Sequence, residues 1–299
     1  MVTHDRAAYP VILGEVLFDR FPDGRDVLGG APFNVAWHLE GFGLRPRLVT
    51  RVGDDLLGVR VRTAMSEWGL STRWVQTDPD RGTGCVDIEF QGEEPTFSIA
   101  PAQAFDRIET PGSDVVPDGG ASILYHGTLA LREASLSLVD DLRRRCGKVF
   151  MDVNLRAPWW NRARVDELMG GADWVKMNIG ELNVIAPDGD AAGLCRRHGL
   201  EGLIVTAGAD PVRWATASGY VAGAEPPLVT DVVDTVGAGD ALSSVCIAGL
   251  IDGWDPATIL DRAVAFAADV CRRRGAVSED PELYAGSWTR RPAPMEEDQ

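Results

Sequence analysis

Several things are missing from this chain, and each absence removes a class of function. No apolar run is long enough to span a bilayer, and the amino terminus has no signal-peptide apolar segment. A soluble, cytoplasmic protein is the expectation. Basic residues are scarce: 29 Lys and Arg stand against 45 Asp and Glu, a net charge of −16. Such a surface repels nucleic acid and anionic membranes. Any polyphosphate must then bind through local amides, a metal ion and a few cations. There are five cysteines, scattered at 85, 146, 195, 246 and 271. They form no C-x-x-C pair, so reduced thiols are expected and zinc is not. Cys246 and Cys271 fall in apolar helical patterns and read as core residues. The pattern G-x4-G-K-[ST] is absent, which excludes a P-loop enzyme. G-x-G-x-x-G is absent too, which argues against a dinucleotide oxidoreductase.

What is present is enough chain for one large α/β domain: 299 residues with no internal repeat or interdomain linker. From residue 121 strand and helix patterns alternate. Ser122–His126, Val149–Val153, Trp174–Met177, Leu203–Thr206 and Val229–Val233 read as strands. Helical stretches fall at 133–146, 162–169 and 190–198, and a last one at Asp255–Arg273. Such alternation implies a mainly parallel sheet covered by helices on both faces, with ligands bound beyond the carboxyl ends of the strands. Pro10–Phe18 reads as the first buried strand. A helix over Asn34–Phe42 closes at Gly43. Arg47–Arg51 reads as a further strand, and a helix capped by Asp54 or Asp55 carries Leu57, Val61, Met65 and Trp68 on one stripe. Residues 83–99 alternate differently, with Asp87 and Glu89 between apolar neighbours and a Gly-Glu-Glu turn. A half-polar hairpin suits a lid better than a central strand. The last ten residues, 290–299, read as a disordered tail.

The most informative stretch is Asp234-Thr235-Val236-Gly237-Ala238-Gly239-Asp240, set before a helix whose apolar positions begin at Ala241. Glycines allow a tight turn and close approach of a ligand to the backbone. Amides of Gly237, Ala238 and Gly239 at the positive end of a helix suit a phosphate oxygen. Asp240 is out of place in a simple anion cradle. It makes sense as a base taking a proton from an attacking hydroxyl while the amides hold the transferring phosphoryl group. The plain alternative is a turn and a helix cap. Upstream, Asp19, Gly29-Gly30 and Asn34 would surround a small ligand, or simply make a turn and a cap. Asp152-x-Asn154-x-Arg156 offers a guanidinium at a strand end, for phosphate or for a surface ion pair. Asn178-x-x-Glu181 puts two oxygen donors one turn apart, for water-mediated Mg²⁺ or for capping.

The segment Asp234–Asp240 resembles the carboxy-terminal signature of the ribokinase/fructokinase-like (PfkB-type) carbohydrate kinases, Asp-Thr-x-Gly-Ala-Gly-Asp. Residues 14–43 are similar to the amino-terminal region of fructokinase-like members, and the likeness runs from about 10 to 278. It implies a ribokinase-like three-layer sandwich, in which a small β lid is formed by about 14–28 and 83–99. It implies ATP-dependent phosphorylation of a sugar at a primary hydroxyl, most like a fructokinase, with Asp240 as base and Gly237, Ala238 and Gly239 as the anion hole. Asp19, Gly29, Gly30, Asn34, Phe97 and Arg156 would meet the sugar. Asn178, Thr206, Gly208, Thr235, Gly237 and Gly239 would meet ATP. Mg²⁺ would lie near Asn178 and Glu181, and K⁺, in some members, near Asp234 and the Val236 carbonyl. The protein would be a monomer or pair through its lid. Kinases for ribose, 2-keto-3-deoxygluconate or nucleosides are the alternatives, with a silent binding relative further off. Val153, where proline is frequent, and Leu242, where phenylalanine is common, depart from the pattern.

Overall fold

The computed structural model describes residues 9–91, 94–116, 122–132 and 135–286. The Gly92-Glu93 turn and the 290–299 tail lie outside the described residues. The chain opens with β1 (Val11–Leu13), then passes through β2 (Leu17–Arg20), β3 (Asp26–Gly29), α1 (Ala31–Gly41), β4 (Arg47–Gly53), α2 (Leu56–Trp68) and β5 (Val75–Asp78). A hairpin of β6 (Gly84–Gln91) and β7 (Glu94–Ile99) follows. The second half runs β8 (Ser122–His126), α3 (Leu136–Cys146), β9 (Gly147–Asp152), α4 (Arg162–Met169), β10 (Trp174–Asn178), α5 (Ile179–Ile185), α6 (Ala191–His198) and β11 (Gly202–Ala207). It closes with β12 (Asp210–Thr216), β13 (Gly219–Ala224), α7 (Ala238–Asp252), α8 (Pro256–Cys271) and α9 (Pro281–Tyr284).

Nine strands form one sheet in the order β13-β12-β11-β10-β9-β8-β1-β4-β5. The strands from β11 to β5 are parallel, and β12 and β13 add an antiparallel edge. Alternation along β1 shows why two helical layers are needed. Val11 and Leu13 belong to one buried cluster, with Leu142, Val165, Ile185 and Leu194 of α3, α4, α5 and α6. Ile12 belongs to the other, with Val35, Val61, Val245 and Leu260 of α1, α2, α7 and α8. A side-chain period of two sends successive residues to opposite faces. The expected three-layer α/β architecture is what forms.

Sequence order reverses at β1, which lies between β4 and β8. That is a topological switch point, where the connections diverge and leave a crevice beyond the strand ends. A second sheet, β3-β2-β6-β7, follows directly from β1 in the chain. It is built from the two segments expected to form a lid.

Two expectations about strands need correction. Pro10–Phe18 is not one strand: β1 ends at Leu13, and Gly14-Glu15-Val16 carries the chain from the large sheet to the small one. A Cβ on Gly14 would come within 2.3 Å of the Pro32 ring, so α1 closes directly on this crossing. Val229–Val233 is not a strand either. It is irregular, Val232 and Val233 are more than half exposed, and the segment is tied down by amides of Val233 and Asp234 donating to the Cys271 carbonyl. The sheet already ends in the β12–β13 hairpin, so these valines have no core to enter.

α7 is apolar all round and buried from Ala241 to Gly249, the pattern of an interior helix. It packs between α1 and α8, which fixes its amino terminus at the crevice. Asp55 is the cap of α2: it accepts from the amides of Gly58 at 2.7 Å and Thr83 at 2.8 Å, joining that helix to the base of the β6–β7 hairpin.

Candidate active site

The glycine loop enters α7 through Gly237, whose φ is 82°, in the left-handed region. A side chain is excluded there twice, because a Cβ would also come within 2.4 Å of Ala276 Cβ. No side chain caps this helix. Its first turn therefore has no side chain to satisfy its amides, and orphan N–H groups at a helix start favour an anion. The Ala238 amide donates to the Thr235 carbonyl in a long 3.3 Å bond. Asp234 braces the loop, accepting from the amides of Val236 and Gly275, each at 3.0 Å.

Asp240 lies in the first turn of α7 without capping it. Its Oδ2 instead accepts from Asn34 Nδ2 at 2.8 Å, a contact between residues 206 positions apart. Asn34 is buried in α1, and its Oδ1 has no protein partner. Loss of water pushes the Asp240 pKa up to about 6. Lys176, the Asn34 hydrogen bond and Arg156 work against that rise, while Asp152 adds to it. The result is a carboxylate poised near neutrality beside a row of amides, the condition for a general base.

Asp19 ends up beside the same pair. A Cβ on Gly29 would stand 3.9 Å from both Asp19 Oδ2 and Asn34 Oδ1, so the two polar groups converge on a bare stretch of backbone. Burial raises the Asp19 pKa and Arg156 opposes the rise. Gly30 caps α1 at φ 109°, and a Cβ there would meet the Glu15 carbonyl at 2.8 Å. Parallel pairing sets Asp19 opposite Val86, and antiparallel pairing sets Ile88 opposite Phe97. Phe97 thus shares a sheet face with Asp19, and it is 58% exposed. Arg156 is exposed at the mouth of the crevice.

Asn178, Thr206 and Gly208 line up at the next strand ends, where Asn178 and Thr206 are register partners. Asn178 and Glu181 form a capping box at the start of α5: Asn178 Oδ1 accepts from the Glu181 amide at 2.9 Å, and Glu181 Oε2 from the Asn178 amide at 2.8 Å. Glu181 Oε1 accepts from the Leu155 amide at 2.7 Å. Each oxygen keeps a lone pair for water, which fits a metal held through water rather than directly. No cluster of three or more His, Cys, Asp or Glu suited to a metal occurs among the described residues. Thr235 and Val236 are exposed beside the loop. His126, at the end of β8, is a buried neutral histidine with its pKa lowered to about 4 by burial, and its Nδ1 is turned to the Gly127 carbonyl.

Two charged groups at the crevice gain a place only in three dimensions: Glu15 is not singled out by the sequence, and Lys176 falls in a strand-end candidate stretch, 176–181, without a role of its own. Glu15, buried at the crossing between sheets, has its pKa raised to about 7 by burial. Lys176 is buried on β10 against Asp152. The signal was available in both cases: one charge inside an apolar run, PVILGEVLF and WVKM.

A switch-point crevice that brings together a glycine turn at a helix start, a carboxylate with a raised pKa and converging polar groups over bare backbone has the parts a phosphotransferase acting on a small hydroxylated molecule needs. The chain belongs to the pfkB family carbohydrate kinases, whose family model matches residues 5–283. It is a sugar kinase. It is 29% identical over 279 residues to a fructokinase of Klebsiella pneumoniae, covering 87% of this chain and 88% of that one. It is 28% identical over 253 residues to a 2-dehydro-3-deoxygluconokinase of Thermoproteus tenax, covering 78% and 76%. In fold it matches the crystal structure of a fructokinase with bound ATP from Xylella fastidiosa, with a TM-score of 0.77 and 24% identity over 90% of this chain and 94% of that one. Among the described residues no helix is long and apolar enough to cross a membrane.

Proposed function

We propose that this kinase moves the γ-phosphoryl group of ATP to a primary hydroxyl of a fructose-like sugar. The observation that carries the reading is the 2.8 Å hydrogen bond from Asn34 to Asp240, which joins the ligand cradle to the base at the anion-binding turn. In this reading Asp19 and the unpartnered Asn34 Oδ1 grip sugar hydroxyls on the bare backbone of Gly29 and Gly30, and Phe97 covers an apolar face of the ring. The primary hydroxyl attacks the γ-phosphorus. Its proton passes to Asp240, the new O–P bond forms as the bond to the leaving ADP oxygen breaks, and the amides of Gly237 and Gly239 offset the charge in transit, joined by that of Ala238 when it gives up its long bond to the Thr235 carbonyl. Thr206, Gly208, Asn178 and Thr235 border the nucleotide. Asn178 and Glu181 would hold Mg²⁺ through water, and that ion would neutralise phosphate charge when bound. Asp234 and the Val236 carbonyl are the donors for a K⁺ ion beside the loop.

A second reading is favoured by Arg156, an exposed guanidinium facing the Asp19 side of the crevice. A cation there suits an acceptor that carries a carboxylate, such as 2-keto-3-deoxygluconate. The test is ADP release from ATP with ketoses, aldoses, sugar acids and nucleosides offered in turn. A fructose-like sugar should give the highest kcat/KM. A sugar acid in first place would move the assignment to the second reading, and no acceptor raising ADP release above solvent hydrolysis would overturn both.

A further inference from the structure

Beneath the glycine loop lies a buried ion pair for which the phosphoryl-transfer reading gives no role. Lys176 on β10 and Asp152 at the end of β9 are register partners. Lys176 Nζ donates to Asp152 Oδ2 at 2.9 Å, and both residues are buried. The same oxygen accepts the Ser243 hydroxyl at 3.0 Å, one helical turn beyond Asp240. Asp152 Oδ1 is buried without a partner. The ammonium also presses on the loop itself, since a Cβ on Gly239 would come within 2.9 Å of Nζ. For folding alone this is a poor arrangement. A buried Lys–Asp pair gains little over well-packed apolar residues, and a cation at a helix amino terminus opposes the helix dipole.

We propose that Lys176 is a positioning residue of the catalytic loop: a fixed positive charge, clamped by Asp152 behind Gly239, that keeps Asp240 ionised and prepares the turn for an anionic phosphoryl group. The proposal rests on the kinase reading in which Asp240 is the base. Six groups face Asp240: Glu15 from the crossing after β1, Asn34 of α1, Tyr125 of β8, Asp152 of β9, Arg156 just past that strand, and Lys176 of β10. Lys176, Asn34 and Arg156 favour its charged form, and Lys176 is the strongest of the three. Asp152 opposes it. Ser243 ties the pair mechanically to the helix that carries Asp240.

The two members of the pair therefore act on Asp240 with opposite sign, which a merely structural role cannot reproduce. Lys176→Met removes a cation and leaves Asp152 behind, so the acid limb of the kcat/KM profile should move to higher pH. The expected shift is about one pH unit, the size set by one nearby charge, with turnover near pH 6 falling roughly fivefold further than turnover near pH 9. Asp152→Asn keeps an acceptor for Ser243 but removes the anion, so the limb should move to lower pH. Lys176→Arg should keep the limb close to the wild-type position, and Lys176→Met with Asp152→Asn should move it less than Lys176→Met alone.

The experiment measures these profiles with the best acceptor sugar. Alongside, the Asp240 carboxyl is titrated by carbon NMR, its signal assigned by its loss in Asp240→Asn. The NMR titration needs no turnover, so it reads the inference even if no sugar is phosphorylated, an outcome that would sink the kinase reading alone. Opposite shifts in the two single variants support the proposal. Limbs that stay put, or that move in the same direction, overturn it. If Lys176→Met does not fold, Asp152→Asn decides: a limb unmoved or shifted upward is contrary to the proposal.

Discussion

Asp240 should make the folded protein less stable at neutral pH than it would be without its charge. Its pKa rises from an ordinary 3.8 to about 6 in the folded state because the loop takes it out of water. A group whose folded pKa is raised contributes its stability below the unfolded value and loses that contribution as pH climbs through the folded one. Between about pH 4 and about pH 6, then, ionisation of Asp240 progressively costs stability. At 1.36 kcal/mol per pH unit the full cost approaches about 3 kcal/mol, and cleft water reduces it. Asp240→Asn keeps the shape and the contact with Asn34 but has no charge to bury. It should melt several degrees higher than wild type near pH 7, at about 2–4 °C per kcal/mol for a chain of this size, and the gain should vanish near pH 4. Differential scanning calorimetry of both proteins across that range is the assay. If Asp240 only capped α7, the substitution would cost a little stability at every pH, and a variant whose melting temperature at pH 7 does not exceed that of wild type would refute the argument.

Three further outcomes follow from the same geometry. Asp19→Ala should raise KM for the sugar by roughly 5- to 150-fold, the equivalent of about 1–3 kcal/mol for a lost buried partner, with KM for ATP little changed; steady-state kinetics with each substrate varied would show it, and an unmoved sugar KM would remove Asp19 from the cradle. Gly237→Ala should lower stability by about 2–5 kcal/mol, from a left-handed backbone and a Cβ driven into Ala276, and should nearly abolish turnover; a thermal melt within about 1 °C of wild type would contradict it. Hydrogen exchange of the β6–β7 amides should slow when sugar is added if this hairpin closes over the ligand, and equal exchange with and without sugar would count against a lid.

Much of this was legible in the sequence, and the exceptions have physical reasons. The parallel strands β8 to β11 announced themselves as apolar runs because both their faces are buried. The helix 162–169 was readable to the residue because Asn161 caps it, accepting from the Arg164 amide at 2.9 Å. Val229–Val233 misled for the same reason those strands succeeded. An apolar β-branched run signals burial, yet these valines sit in an exposed approach to the loop, and the edge they were expected to occupy belongs to β12 and β13. That hairpin was missed: Pro211 and the Gly219 and Gly223 positions weaken its pattern, and tertiary pairing made it. At the site, Asp19, Gly29, Asn34 and the Asp234–Asp240 loop could each be named, but the hydrogen bond between Asn34 and Asp240 could not. It joins residues 206 positions apart, a distance no local pattern spans. Glu15 escaped because a single charge in an apolar run disturbs hydropathy little, and Lys176, although it lies in a strand-end stretch that could be named, could not be given a role; in three dimensions each is a buried group beside Asp240.

Phosphoryl transfer in this kinase depends on Asp240 as the proton acceptor in the proposed mechanism. The most direct measurement is kcat of Asp240→Asn with the best acceptor sugar, under saturating ATP and at the pH optimum of the wild type. The side-chain amide cannot take the proton, so turnover should fall by roughly 10²- to 10⁴-fold, the usual range for loss of a general base, while ATP affinity is kept or improved. A variant that folds, binds ATP and turns over within a few-fold of wild type would contradict the mechanism.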